Sequence, residues 1–578
     1  MVFLSSTWLI LALYTLTTSA ASVATIPQSA WTQLNSTVGG RLVRGIPYAR
    51  PCFARVGPGV SGSKNGAACA VVQADYVNNL DLTAQFGTYI NTQWETCQST
   101  NEKCLLDYKN STNPVPMEGV CSQGSIPDYG INVVNPSDVT AGFQFSKKWG
   151  IPVVVKNTGH DYKGHSGGPG TLAIWVGNIK GITHNPVFIP TGCPKSTTPK
   201  NGVTFGAGVV YNDLVNFADA NKLTIPAGGD VSVGPAGGYP QGGGHGMLSN
   251  VFGLAADRVL EMEVVTPRGD HLIANECQNT DLFWAMRGGG GGTFGVVLKL
   301  TSLAFPATQV NAVFGTVDPT VPGNLLKFFQ FMTDNALDYA KQGWGYYLYP
   351  SLPGIALANT ILSPAEAKAS MAPLMNLLMH NMTGSTWEMT LEPNYKTYYP
   401  KYVTRVPVPN GFAMTTASRL IPVSVFESAS QRAQLAQAMT SIKDEAPVAI
   451  AFGVAPFYHG NNHDTSVSPA WYDSLWHLAV ADTWNYDADT KDLTEIYSNL
   501  STAIDPFRKL APNSGAYLNE ADVYEPDWQQ SFWGENYPRL LSIKNKYDPD
   551  HLLDCWQCVG WLGPKDDRYK CYIHIEGY

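Results

Sequence analysis

The sequence predicts an α+β fold in two lobes, and three observations carry that prediction. The chain has 578 residues, several times the usual domain length, so it can hold more than one core. Strand-like and helix-like segments alternate closely from Ile131. Three glycine clusters fall between residues 155 and 295, and beyond Pro306 aromatic segments and helices replace them. Composition agrees with a folded globule: 44% of residues are apolar and 14% charged, with 15 Trp, 28 Tyr and 22 Phe. The formal charge of −9 offers no basic platform for a phosphate backbone, which argues against nucleic acid as a partner.

At the start of the chain, WLILALYTL over Trp8 to Leu16 is followed by small residues through Ala24. That run is too short to span a bilayer and reads as a secretory signal peptide over residues 1–21, although it lacks a leading Lys or Arg. No later apolar run approaches 18 residues, so no membrane anchor is expected. Sequons at Asn35, Asn110, Asn381 and Asn499 fit a glycosylated, secreted protein. Ten cysteines, an even number, suit disulfides in an oxidising compartment. Cys97 and Cys104 are expected to close a local loop. Cys555 and Cys558 form a CxxC without a second CxxC, which favours a disulfide over a metal, and no metal is expected.

Residues 22–125 read as an irregular lead-in with one helix from about Val77 to Thr96. Residues 126–305 form the next unit. INVV from Ile131 is a strand, Ser137 caps a helix running to Trp149, and IPVVVK from Ile151 is a buried strand, all within 26 residues. LAIWV at 172–176 and VTFGAG at 203–208 follow, then a helix near 211–221 and LTIPAGG at 223–229. LEMEVVTP and HLIA make a hairpin across Arg268-Gly269-Asp270, and TFGVVLKL closes the unit near Leu300. Residues 306–510 are the second lobe, with a helix in the alanine-rich stretch 429–445. Residues 511–578 give a strand, an aromatic loop and a helix ended by Asp548-Pro549, a unit expected to return to the first lobe.

The glycine clusters carry the chemistry. VKNTGHDYKGHSGGPGTLAIW, residues 155–175, runs from a buried strand into a loop whose backbone N–H groups can form an anion nest, and a phosphorylated ligand is its natural occupant. The second cluster, at 227–257, contains GPAGGYPQGGGHG, and the third is RGGGGGTFGVV from Arg287. None matches GxxxxGK[ST], which argues against a P-loop nucleotide hydrolase. None follows the Rossmann order, which disfavours a nicotinamide cofactor.

Together, KNTGHDYKGHSGG, GPAGGYPQGGGHG…GLAAD, RGGGGGTFGVV and the late YLNEAD…DPDHLL resemble secreted FAD-linked oxidases of the vanillyl-alcohol oxidase superfamily. The likeness is nearest the berberine-bridge-enzyme-like branch and its fungal isoamyl-alcohol-oxidase-like members. It covers about 120–305 and 515–562, while the middle lobe resembles the family in position and in short pieces such as Ser418-Arg419-Leu420-Ile421-Pro422. The resemblance implies a PCMH-type FAD-binding domain and a substrate domain built on an antiparallel sheet with helices, the C-terminal segment packing on the FAD domain.

It also implies site residues. His160 matches the histidine that bonds covalently to the flavin 8α methyl, and Gly159 would let it approach. Backbone from Lys156 to Asp161, through Asn157 and Thr158, with Ser166, would hold the pyrophosphate. Gly237, Gly238, Gly242, Gly243 and Gly244 would lie along the ribityl chain and ring. Gln241, His245 and Asp257 would make polar contacts. Lys156 is the only cation at that strand end, so dipoles would offset most of the phosphate charge, and His165 reads as a loop residue. Relatives with a second, cysteinyl bond carry it at a place falling here on Asp230 to Ser232, where no cysteine stands. A single histidyl bond is expected.

For alcohol oxidation the family places groups on a YxN segment, here Tyr517 and Asn519, followed by Glu520. Tyr517 and Glu520 are the candidate bases; alternation along a strand would send them to opposite faces. His477 is the rival base. The reading is a secreted, monomeric FAD oxidoreductase that oxidises a small-molecule alcohol or polyketide-like substrate and returns electrons to O2 as H2O2, the aromatic second lobe suiting an apolar substrate. The alternatives are flavin-dependent oxidative cyclisation or C–C bond formation, and a secreted carbohydrate- or ligand-binding protein with a non-catalytic flavin site.

Overall fold

The computed structural model describes residues 23–351, 353–403, 412–459 and 464–575; the signal segment at 1–21 lies outside them. The chain opens with helix α1 (Gln28–Thr37). A four-stranded sheet follows, with β1 (Leu42–Arg44), β2 (Tyr129–Asn132), β3 (Val153–Lys156) and β4 (Leu172–Trp175) in the order β1-β2-β4-β3. β1 runs antiparallel to β2 and the other pairs are parallel, so the lead-in supplies the edge strand. Helix α2 (Pro136–Trp149) links β2 to β3. Its cap is Asn135, not Ser137: the Asn135 side chain accepts from Asp138 N–H, the Asp138 carboxylate accepts from Asn135 N–H, and Pro136 takes the first helical position where it loses no bond.

The next sheet is antiparallel: β5 (Ile182–Phe188), β6 (Lys200–Gly206), β7 (Val259–Val265), β8 (His271–Asn275) and β9 (Val296–Leu303), ordered β8-β7-β9-β6-β5. Helix α3 (Tyr211–Ala220) leaves β6. β7 and β8 are the hairpin expected across Arg268 to Asp270.

The second lobe is a seven-stranded antiparallel sheet, β10 (Val310–Thr316), β11 (Gly345–Tyr349), β12 (Gly354–Asn359), β13 (Thr386–Glu392), β14 (Ala413–Pro422), β15 (Val448–Gly453) and β16 (Ser474–Trp484), ordered β13-β10-β12-β11-β15-β16-β14. Strand alternation gives it two apolar faces. Tyr346, Leu348, Ala449 and Ala451 share one core with the helices α4 (Asn324–Lys341) and α6 (Ala429–Ser441), and with α5 (Pro364–Asn381). Tyr347, Tyr349, Ile450 and Phe452 point the other way, into the core of the first lobe. Helix α7 (Thr490–Ala503) and then α8 (Tyr537–Tyr547) follow, α8 ending at Asp548-Pro549 as expected. The buried Lys544 ammonium of α8 donates to Thr293 O and pairs with Asp548 at 2.7 Å, and Trp533 donates to Gly288 O, so the last unit packs on the third glycine cluster.

Three expectations are corrected. No helix runs from Val77 to Thr96; a short helix spans Asn79–Thr83 and a 3-10 turn Thr92–Trp94. The helix ends at Thr83; further on, Gly87 packs against Ile46, where a Cβ would lie 1.9 Å from Ile46 O, and the chain beyond it bonds Ile90 N–H to Gly159 O. No strand forms at Tyr517; Leu518–Glu520 is a 3-10 turn closed by Glu520 N–H to Tyr517 O. Cys97 does not pair with Cys104. The bonds are Cys52–Cys69, Cys97–Cys571, Cys104–Cys121, Cys193–Cys277 and Cys555–Cys558. Cys97 and Cys571 are 474 residues apart, and the Ser99 N–H to Cys571 O bond holds the two segments side by side. Among the described residues no helix is long and apolar enough to cross a membrane. Asn110, Asn381 and Asn499 are exposed; Asn35 is half-buried.

Candidate active site between the glycine loops and the second sheet

A cavity with about 1920 Å³ of empty space, part of it open to solvent, lies between the glycine loops and the inward face of the seven-stranded sheet. One wall is backbone. Asn157, Thr158, Gly159, His160, Asp161 and Ser166 line it from the loop after β3, and Gly237, Gly238, Gln241 and His245 from the second cluster. Gly159 has φ +91°, and a Cβ there would press on Thr88 O and the Tyr89 Cα at 3.3 Å, so only glycine turns the chain to present His160. Added Cβ atoms at Gly229 and Gly238 would meet nothing within 4 Å; both glycines face the cavity as bare backbone.

Other expected residues lie elsewhere. Lys156 is fully buried: its ammonium donates to Gln85 O and sits over the Phe86, Tyr89 and Trp175 rings, away from the cavity, and burial pushes it down to about 7. Lys163, in the same loop, also lines the cavity, but its ammonium turns to Gln557 Oε1 at 3.3 Å and lies 4.0 Å over the Phe532 ring, neither of them on the wall, and burial likewise lowers it to about 7. Gly242, Gly243 and Gly244 are packed behind the wall; a Cβ on Gly242 would lie 2.3 Å from Asn519 Oδ1. Asp257 is also behind it, accepting from Leu254 N–H and Tyr472 O–H. Gln241 donates to Ala236 O and Gly237 O, and its carbonyl accepts from Gly288 and Gly290, locking the second cluster to the third. In the first loop the amides of Lys163, Gly164 and Ser166 already bond the Asp161 carboxylate, so that part of the nest holds the chain's own anion.

His160 has a specific partner. Its Nε2 lies 2.7 Å from Ser232 Oγ and 3.8 Å from Asp230 Oδ1, and burial keeps the imidazole below its ordinary pKa.

Beside the second glycine cluster, the 3-10 turn brings Tyr517, Asn519 and Glu520 onto the wall together, Asn519 Nδ2 donating to Gly238 O at 3.1 Å, where a strand would have separated them. The Tyr517 hydroxyl oxygen accepts from Gly244 N–H at 3.1 Å and from Asn519 Nδ2 at 2.8 Å. Burial, then the Glu520 charge, raises the phenol well above its ordinary pKa, so it stays protonated at neutral pH. Glu520 reaches His245 Nε2 at 3.4 Å and His477 Nδ1 at 3.8 Å. His477, on β16, is fully buried behind the wall, stacked 5.2 Å from Phe452, and burial holds its pKa far down. These three donor sets lie within 4.8 Å of one another. Metal-bound histidines donate their second ring nitrogen to a partner, whereas His245 Nδ1 and both His477 nitrogens have none, so the cluster lacks the support of a metal centre.

The remaining wall belongs to the second lobe: Tyr347, Tyr349, Val448, Ile450, Phe452, Ala479 and Ala481, with Met414 and Thr416. None is charged. Sequence reasoning missed these residues, since only the sheet's register shows which alternate positions face inward. Lys163 was legible within GHDYKGH.

A family model described as "FAD binding domain" matches residues 127–275, and one described as "Berberine and berberine like" matches 516–559. The chain is 36% identical to the FAD-linked oxidoreductase ffsJ of Aspergillus flavipes over 573 residues, 92% of each chain. It is 30% identical to the bifunctional decalin synthase calF of Penicillium decumbens, over 92% of this chain and 91% of that one. The solved VAO-type flavoprotein MtVAO615 of Myceliophthora thermophila superposes with TM-score 0.82 at 28% identity, over 93% of this chain and 96% of that one.

Proposed function

The chain belongs to the FAD-linked oxidoreductases that join an FAD-binding domain to a berberine-like C-terminal segment, and on that premise we propose that it oxidises an alcohol carbon of an apolar small molecule. The observation that carries the reading is one cavity lined by His160, by bare glycine backbone and by Tyr517, His245 and Glu520 together. The glycine backbone fits the cofactor: Gly229 and Gly238 leave space that any side chain would fill. His160 would hold FAD covalently, with Asn157 to Asp161, Ser166, Gly237 and Gly238 around it. Bound there, FAD supplies a two-electron acceptor for the substrate's hydride and passes the electrons to O2, giving H2O2.

Glu520 takes the hydroxyl proton of the substrate. Of the three carboxylates on the cavity wall, Asp161 is engaged by the amides of its own loop and Asp230 by Ser232, whereas Glu520 lies beside His245, which can share the proton. Tyr517 orients the substrate oxygen: its own oxygen already accepts two bonds, which leaves its proton to donate. His477 stays neutral behind the wall, stacked on Phe452. The uncharged sheet face excludes water and receives the apolar body of the substrate. Five disulfides and exposed sequons support secretion.

The test is anaerobic titration of the purified yellow protein with a panel of apolar alcohols. Bleaching of the flavin band, then peroxide on admitting air, is expected; protein without flavin absorbance would refute the reading. The decalin synthase relative favours a second reading, oxidative cyclisation. A product retaining the alcohol but carrying a new ring would establish it.

A further inference from the structure

We propose that Ser232 and Asp230 are positioning residues for His160: they hold its proton on Nε2 and so make Nδ1 the atom that bonds to the flavin. The inference rests on the covalent tether read above.

The argument is a count of protons. Asp230 Oδ1 accepts from Ser232 N–H at 2.7 Å and from Ser232 Oγ–H at 2.6 Å, and Asp230 Oδ2 accepts from Asn79 Nδ2 at 3.2 Å. Burial pushes the Asp230 carboxyl up, but the adjacent His160 ring and these bonds outweigh it and hold the group below its ordinary pKa. An ionised carboxylate only accepts. The one proton of the Ser232 hydroxyl is therefore given to Asp230, and across the 2.7 Å contact Ser232 Oγ can only accept, from Nε2–H. The neutral ring then carries its lone pair on Nδ1. The relay is fixed in place, since Val231 O and Val233 O accept from Asn212 and Tyr211 at the start of α3.

The bond-making step balances as follows. A bond forms between His160 Nδ1 and the 8α carbon. One C–H bond of that carbon breaks and its proton goes to solvent, the alkylated imidazolium releases its Nε2 proton by way of Ser232 and Asp230 to solvent, and the electron pair stays on the ring system until dioxygen takes it up with two protons as hydrogen peroxide. Ser232 and Asp230 raise the nucleophilicity of Nδ1 by accepting, through Nε2–H, the positive charge that the imidazole develops.

The experiment compares wild type, Ser232→Ala, Asp230→Asn, Ser232→Thr and His160→Ala, each incubated with FAD and sampled over time. Total flavin is read by absorbance and covalent flavin by in-gel fluorescence after acid precipitation. Expected are full attachment in wild type, none in His160→Ala, attachment at least about tenfold slower in Ser232→Ala and Asp230→Asn with total flavin retained, and recovery in Ser232→Thr. The flavin peptide cut from wild type should carry its link on Nδ1. Wild-type rates in both alanine and asparagine variants, or a link on Nε2, would overturn the inference. Flavin released by acid from wild type would instead overturn the tether itself, so the two failures are distinct.

Discussion

Glu520 and His245 approach to 3.4 Å across the cavity wall, although one belongs to the C-terminal unit and the other to the second glycine cluster. The contact places a carboxylate and an imidazole at the same point of the cavity, with Tyr517 beside them. Glu520→Gln keeps the shape and removes the base. Flavin reduction followed by stopped flow should slow by about 10²- to 10⁴-fold, with covalent flavin content unchanged. A loss under threefold would remove Glu520 from the reaction.

Ala479 and Ala481 sit among larger apolar side chains on the sheet face and leave room there. Ala481→Phe should raise KM for bulky apolar alcohols about tenfold, equivalent to 1.4 kcal/mol, and leave small alcohols nearly unaffected. Kinetics on a graded series of alcohols tests this, and an equal effect on every member would contradict it.

The Cys97–Cys571 bond ties the lead-in to the C-terminal end. Replacing both by alanine should destabilise the protein by about 2 to 5 kcal/mol and lower its thermal midpoint. Replacing Cys555 and Cys558, which close a loop of only three residues' separation, should cost less.

Much of the first lobe was legible because its determinants are local. The β2–α2–β3 unit, the β7–β8 hairpin and the Asp548-Pro549 stop follow from periodicity and turn chemistry within short windows. The segment 77–96 was not, because Gly87 packs against the Ile46 carbonyl, distant in sequence. The turn at Tyr517 was misread as a strand for a related reason: residues 514–516 bond to β14 and to Ser531, partners that no local pattern reveals.

By itself, then, the sequence determined the fold class, the three glycine clusters, the placement of His160 behind a glycine and the chemistry available at Tyr517 and Glu520. Tertiary structure alone decided that the Lys156 ammonium turns away from the cavity, that His477 lies behind its wall, and that Ser232 and Asp230 meet His160. Residue identity and near-neighbour spacing fix backbone conformation and side-chain chemistry. Which side chain faces a cavity depends on long-range packing and on burial, and those are properties of segments tens to hundreds of residues apart.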